Sequence, residues 1–543
     1  MEYLYLVKGY REKGKVRQRV VARLGRADVV AQHVGGLLEL LGPYLREPTG
    51  QLREVEAPQA LTYGPVAVAR ALWEQLGLGE VVERYCGAVC AERAFVLTAH
   101  RLIDPGSEHG MAWWLADSYV VDRWGRRVVP EWQTRGRVRV GWRQLQGWYR
   151  TLDRLVEAKE AIEQDVYLRL RDLFGLQVEL VFYDLTSTYF EGAGPEGLAR
   201  CGHSRDGRPR DRQVLVGVVM ASGWPVASYV FEGHRADRST VEEVVEDVRR
   251  RFRLRRVVWV ADRGMVSRQA LEVLSAGQDR YLVGLPRRRS RKAQQILRLS
   301  RQAPWHSLPE GGRVAEVCLP QDPARYLVVY SPERRAFERQ MRRESMRRCL
   351  ERLRKLQQAV QSGRLLAPEK IGARAQAILR SGHGHRYFAW EVTPQGQFAF
   401  WLDRGKLREE LRLEGTYLLQ TNDPTLTPLQ AVAAYKELQT VEHAFRDLKD
   451  TLACRPIYHR TAPRVRAHLF TAHLALLLGC ALEKALRRAG LSMSLATALQ
   501  ALRSVRLVTL QLHGQTHHVL TKPHPSAQAI LKAVGLHPLP PPL

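Results

Sequence analysis

Between Val178 and Thr186 the chain reads Val-Glu-Leu-Val-Phe-Tyr-Asp-Leu-Thr, a β-branched and aromatic run that predicts a buried strand over 178–184. It places an acid, Asp184, where an apolar residue would cost less. The same pattern predicts strands at 214–220, 226–231, 257–261 and 280–285, with helical periodicity at about 239–252 and from about 267. The strand at 257–261 also runs into an acid, Asp262, and then Arg263 and Gly264, a glycine suited to a sharp exit turn. After Leu285 the pattern breaks until Tyr417-Leu418-Leu419-Gln420-Thr421, a strand that immediately precedes a helix rich in charge. Residues 286–414 are therefore read as a mixed β/α insertion, with strands such as Tyr326–Tyr330 and Phe398–Leu402 and a long arginine-rich helix near 333–361.

Outside this region the periodicity divides the chain further. Residues 1–50 form a small β module, a basic hairpin with strands at 3–10 and 15–24. Residues 51–174 read as helical, with no catalytic spacing. The core comes in two parts, 175–285 and 415–455, and 456–536 is a second helical region with helices at about 464–488 and 493–504. The tail 537–543, His-Pro-Leu-Pro-Pro-Pro-Leu, can form neither a helix nor a central strand and is expected to be disordered. The most lipophilic run, Ala467–Leu482, contains His468 and His473 and is shorter than the roughly 20 residues of a membrane span, so it reads as a buried helix and no membrane partner is expected.

Composition narrows the partner. The 543 residues carry 84 Lys plus Arg against 56 Asp plus Glu, a formal charge of +28, and such a chain is drawn to a polyanion. Charge alone fits any cationic protein, but it gives no reason for acids in apolar strands. Seven cysteines form no CxxC pair, and the N-terminus reads as no signal peptide, so a reducing, cytoplasmic setting is expected, at the nucleoid if the polyanion is DNA.

The helix that follows the strand at 417–421 completes the candidate chemistry. In Tyr435-Lys436-Glu437-Leu438-Gln439-Thr440-Val441-Glu442-His443-Ala444-Phe445-Arg446-Asp447-Leu448-Lys449, read as one helix at roughly 100° per residue, Tyr435, Leu438, Glu442 and Lys449 fall within a stripe of about 60°. Val441, Ala444 and Leu448 form a separate apolar face. A Glu and a Lys on one helix are ordinarily surface charge. With Asp184 and Asp262 at strand ends, however, Glu442 supplies the third hard-oxygen ligand that a two-metal phosphodiester site needs. Each Asp read alone could equally be a turn or cap carboxylate.

These residues resemble the DDE transposases of bacterial insertion sequences, in the subgroup marked by a Y-x2-R-x3-E-x6-K signature. Tyr435, Glu442 and Lys449 match it residue for residue, while Leu438 stands at the arginine position and Arg446, one turn beyond Glu442, could substitute. Further likenesses are Tyr183–Thr188, Gly202-His203-Ser204-Arg205-Asp206, Phe231–Asp237 and Ala261–Met265, and the resemblance covers most of residues 1–510.

The resemblance implies an α/β fold with an RNase H-like catalytic core, an order that three strands followed by alternating helix and strand also match. It implies a metal-binding catalytic triad of Asp184, Asp262 and Glu442 holding two Mg²⁺ ions, with Mn²⁺ able to substitute. It also implies DNA contacts from Tyr435, Arg446, Lys449 and Arg455, with His459 and Arg460 near the same path, and a DNA-end-binding role for the helical region 51–174, which by its pattern alone is equally a plain scaffold. Double-stranded DNA, as element ends and as target, is the implied partner, and a homodimer the implied synaptic assembly. A stand-alone RNase H-like nuclease or resolvase, and an inactive, repurposed DNA-binding protein, remain alternatives.

Overall fold

The computed structural model describes residues 3–12, 15–26, 56–130, 132–134, 137–174, 180–236, 239–252, 258–261, 271–272, 279–288, 290–309, 311–512 and 515–539. It is a mixed α/β chain that divides into two compact units, residues 1–255 with 439–543, and residues 256–438.

In the first unit, β1 (Tyr3–Glu12) and β2 (Lys15–Arg26) pair antiparallel as the basic hairpin expected from the sequence. Next comes β3 (Glu56–Thr62), then helices Gly64–Gln75, Leu78–Cys86, Ala88–Ile103 and Met111–Asp117. A short hairpin of β4 (Trp132–Thr134) and β5 (Arg137–Arg139) precedes helices Trp142–Glu157 and Lys159–Phe174. Three antiparallel strands follow, β6 (Leu180–Tyr189), β7 (Gln213–Ala221) and β8 (Trp224–Glu232), and then the helix Val241–Phe252.

The second unit opens with β9 (Val258–Ala261), which runs parallel to β10 (Arg280–Leu285). After helix Arg291–Leu299 come β11 (Trp305–Ser307), β12 (Arg313–Leu319) and β13 (Asp322–Tyr330). The 30-residue helix Pro332–Gln361 and the helix Pro368–Ser381 then pack with a hairpin of β14 (Phe388–Val392) and β15 (Phe398–Leu402) around Cys349, Leu353, Leu356, Ile371 and Phe388. Helix Arg404–Leu413 leads into β16 (Thr416–Thr421), which joins β13 and β10 antiparallel, so that the strands of this unit lie in the order β11-β12-β13-β16-β10-β9.

The rest of the first unit contains the helices Ala462–Arg488 and Leu495–Leu502, the hairpin β17 (Arg506–Leu512) and β18 (Gln515–Leu520), and the helix Pro525–Ala533. Ala462–Arg488 is long and apolar enough to cross a membrane, but 89% of its most apolar window is buried inside the protein, where Phe470, Leu474 and Leu478 are all but inaccessible. The expected buried helix is present, longer than its apolar run because Pro463 opens it early and charged residues extend it to Arg488.

Three local features differ from the sequence reading. The hairpin β17–β18 lies within a stretch expected to be helical, and β17 pairs with β3, a partner more than 440 residues away in the chain. The strand holding Asp184 does not end there but runs on to Tyr189, because Thr186, Thr188 and Tyr189 continue the β-favouring run. Finally, the single charged helix expected over 435–449 is three segments: Pro428–Lys436, then Leu438–Arg446 after Glu437, then a π-helical turn Asp447–Thr451. Part of the expected tail, residues 540–543, lies outside the described residues.

Candidate active site

Asp184 sits in the middle of β6, opposite Val218 of β7. Side chains alternate across a strand, and its neighbours show what each face does. Tyr183 is buried, and its hydroxyl donates to Thr240 Oγ1 at 2.9 Å, just ahead of the helix Val241–Phe252. The ring has room because Gly217 lies beside it: a Cβ there would come within 2.9 Å of Tyr183 Cε2. On the alternate face Asp184 is half-buried between buried neighbours, and its Oδ1 accepts the backbone N–H of Leu185 at 2.8 Å.

Further along the same strand, Ser187 Oγ accepts the backbone N–H of Arg205 at 3.0 Å, and Ser204 Oγ accepts those of Asp206 and Arg208 at 3.2 and 3.1 Å. These bonds fix the loop Gly202–Asp206 over β6. Asp206, its side chain 7% exposed, then takes Lys449 Nζ at 2.9 Å and the guanidinium of Arg455 on the same oxygen. Arg455 also reaches Asp450 at 2.9 Å. Two residues expected to contact DNA are thus brought together by one carboxylate.

Lys449 lies in the π-helical turn, closed by the backbone bond from Leu452 N to Asp447 O at 2.7 Å and by Thr451 Oγ1 on Asp447 Oδ1 at 3.0 Å. A π-turn is wider than an α-turn, so Lys449 does not follow the angular stripe that a uniform α-helix would give it. Burial holds the Asp447 carboxyl above its ordinary range. Beyond the turn the chain is stapled to the end of β6: Ile457 N donates to Tyr189 O and Glu191 N to Ile457 O, both at 3.0 Å.

Glu442 and Arg446 are exposed on the helix Leu438–Arg446, in the same compact unit as Asp184, Lys449 and Arg455. Tyr435 belongs to the second unit, where its ring stacks on that of Tyr417 with centroids 5.9 Å apart, within the spacing of an offset aromatic pair. Its helix starts from a capping box, Thr427 and Gln430 exchanging bonds at 3.2 and 3.0 Å. Leu438, at the arginine position of the signature, is a buried apolar residue. Asp262 follows the last residue of β9 and lies outside the described residues.

One cluster was not anticipated. Glu108, His459 and His468 offer ligand atoms within 4.8 Å of one another. The set is already satisfied without a cation. His468 Nε2 lies 3.2 Å from the Cys454 carbonyl, and its Nδ1 lies 3.3 Å from the buried guanidinium of Arg101, which a metal would have to displace. Burial and the Arg101 charge depress His468 to about 3. Burial alone would raise Glu108, but its hydrogen bond to His459 and the charge there outweigh this and hold it at about 2. His459 is therefore turned inward rather than lying on an exposed basic loop.

Residues 179–478 match the family described as the transposase DDE domain, more than half of the chain, and the protein belongs to that family. It is a DNA transposase, an enzyme that cuts DNA and transfers strands with the help of divalent metal. Residues 1–45 match the N-terminal domain of IS1634 family transposases, which places it among the transposases of insertion sequences. No curated protein sequence matches the chain. Among solved structures it is similar to the piggyBac transposase in a synaptic complex with hairpin DNA, at 10% identity and a TM-score of 0.35 over 81% of this chain and 79% of that one.

Proposed function

We propose that this transposase binds the terminal inverted repeats of its own element, hydrolyses a phosphodiester bond at each end and joins the freed 3′-hydroxyl to target DNA. The observation that carries the reading is that the segment matching the DDE domain contains both strand acids, Asp184 and Asp262, and the helix acid Glu442. Carboxylate oxygens are the hard donors that Mg²⁺ takes, and the half-buried, backbone-anchored Asp184 and the exposed Glu442 fit that role. In this reading the three acids hold two Mg²⁺ ions, which Mn²⁺ can replace, within an RNase H-like core. Bound divalent ions supply charge stabilisation and an activated oxygen nucleophile.

The chain's own residues do the rest. Lys449 and Arg455, steadied by Asp206, orient the phosphate backbone at the scissile position. Arg446 adds an exposed cation one turn beyond Glu442, and Tyr435 contributes a neutral hydrogen bond. The acting species is a homodimer holding two duplex ends in the cytoplasm, at the nucleoid.

The test is a strand-transfer assay with duplexes carrying the element ends and a supercoiled target in Mg²⁺. Nicked ends together with joined product are expected. Nicking without joining would assign the chain to stand-alone nucleases, and end binding without nicking to repurposed DNA-binding proteins.

A further inference from the structure

The helix Pro332–Gln361 buries Cys349, Leu353 and Leu356 along one side. Beside that buried stripe lie Phe337, Met341, Arg348, Arg352 and Lys355, spaced 4, 7, 4 and 3 residues apart, which at about 100° per residue keeps them within a band of about 60°. All five line one groove of 770 Å³ in the second unit, joined by Arg386 from the neighbouring turn. From Phe337 to Lys355 the band is about 27 Å long at 1.5 Å per residue.

Two features set this band apart from an ordinary solvated face. Phe337 is 64% exposed and Met341 45%, one helical turn apart, so two large apolar side chains stand uncovered together. The acids around the groove are already committed to other partners: Glu338 to Arg287 at 2.9 Å, Glu410 to Arg288 at 2.6 Å, Glu414 to Arg342 at 2.5 Å and Glu351 to Arg347 at 2.8 Å. Arg348, Arg352 and Lys355 carry no carboxylate partner among the described residues; Arg352 donates only to Ser381 Oγ at 2.8 Å and Arg348 only to the Glu344 carbonyl at 3.4 Å.

We propose that this groove is a binding surface for single-stranded DNA, with unstacked bases against Phe337 and Met341 and successive phosphates against Arg348, Arg352 and Lys355. A duplex turns its phosphates outward and hides its base faces, so it would answer the cations and leave the aromatic residue uncovered. A single strand offers both, and aromatic residues beside a cationic track are how such strands are held without sequence preference. The inference rests on the reading of the chain as a DNA transposase.

The test uses the full-length protein and a fluorescent oligothymidylate, with 5-iodouracil at one position for photocrosslinking. Crosslinks are expected on the peptides containing Phe337 and Met341. Phe337→Ala with Met341→Ala should weaken the single strand by about fivefold or more, as for loss of a stacked base, and leave a blunt duplex unaffected. Arg348→Ala, Arg352→Ala and Lys355→Ala combined should lower the log–log salt slope by about 2, at roughly 0.7 per contact. Crosslinks confined to other segments, or apolar variants that change duplex and single strand alike, would overturn the proposal. Cleavage of duplex ends by the parent protein is scored in parallel, so that loss of the groove assignment is distinguishable from loss of the transposase reading.

Discussion

Lys449 Nζ and Asp206 Oδ1 lie 2.9 Å apart, with the lysine side chain 13% exposed and the aspartate 7%. An ion pair this far from water depends on both partners being present, because either left alone is an uncompensated buried charge. The pair joins the loop anchored on β6 to the turn that follows the Glu442 helix, so the geometry of the acid helix and of the strand acid is coupled through it.

Asp206→Ala should therefore lower stability by about 3 kcal/mol, the scale of a broken buried pair, and reduce cleavage more than end binding. Lys449→Ala should leave Asp206 with Arg455 and cost less stability, yet weaken complex formation on element ends. Denaturant unfolding and end-binding titrations on the same two variants check this. Equal losses of stability together with unchanged end binding by Lys449→Ala would assign the lysine to the fold alone.

A second buried network carries stability rather than chemistry. Glu163 is fully enclosed and meets Arg251 at 2.7 Å and Lys159 at 2.8 Å, while its Oε1 accepts the N–H and Oγ of Ser228, both at 2.9 Å. Burial works to raise its pKa, but the charges of Lys159 and Arg251 and the Arg251 hydrogen bond outweigh burial and hold it below the usual carboxylate range. Glu163→Ala leaves Arg251 with Asp247 as its one carboxylate and Ser228 without its acceptor, and should cost about 3 kcal/mol by urea unfolding, with a drop in soluble yield. A loss below about 1 kcal/mol, the scale of an exposed pair, would show that the network is not cooperative.

Acid should destabilise the protein from near neutrality downward. Burial depresses His100 and His468 to about 3 and His473 to about 4, from an ordinary 6.5. The unfolded chain takes up these protons near pH 6.5 and the folded chain does not. Their contribution is thus complete above pH 6.5 and falls as pH drops toward the folded values, by about 1.4 kcal/mol per pH unit for each histidine. Glu163, also depressed, adds a loss that begins near its unfolded value of 4.5 and continues as pH falls through its lower folded value. Urea midpoints across this range should fall steadily, and His473→Asn should flatten the slope by one histidine's share. A midpoint constant between pH 6.5 and 4.5 would contradict the assignment.

Much of the architecture was legible because strong patterns coincide with local structure. The runs around Val214–Val219, Val258–Ala261 and Leu418–Thr421 are apolar enough to form strands wherever they are placed, and they do. The candidate site was proposed from residue types and not from geometry. Asp184 stood out because an acid in a β-branched run is costly, but the strand's continuation to Tyr189 depended on its register with β7. The role of Asp206 could not be read from Gly202–Asp206, since it arises when Ser187, 18 residues earlier, fixes Arg205 and when a π-turn delivers Lys449 from 243 residues later. A uniform 3.6-residue period contains no such turn. The hairpin β17–β18 was hidden for a related reason: it is held by pairing with β3, a partnership that no local window can contain.

The central claim is that Asp184, Asp262 and Glu442 form one metal-binding catalytic site, and single amide substitutions test it most directly. Asp184→Asn, Asp262→Asn and Glu442→Gln are each measured for end binding by gel shift and for nicking of an end-containing duplex in Mg²⁺ and in Mn²⁺. The account predicts that each substitution abolishes nicking, by about 10³-fold or more as expected for loss of a transition-state contact, while end affinity stays near that of the parent protein. Parental nicking by any one of the three would contradict it and remove that residue from the site.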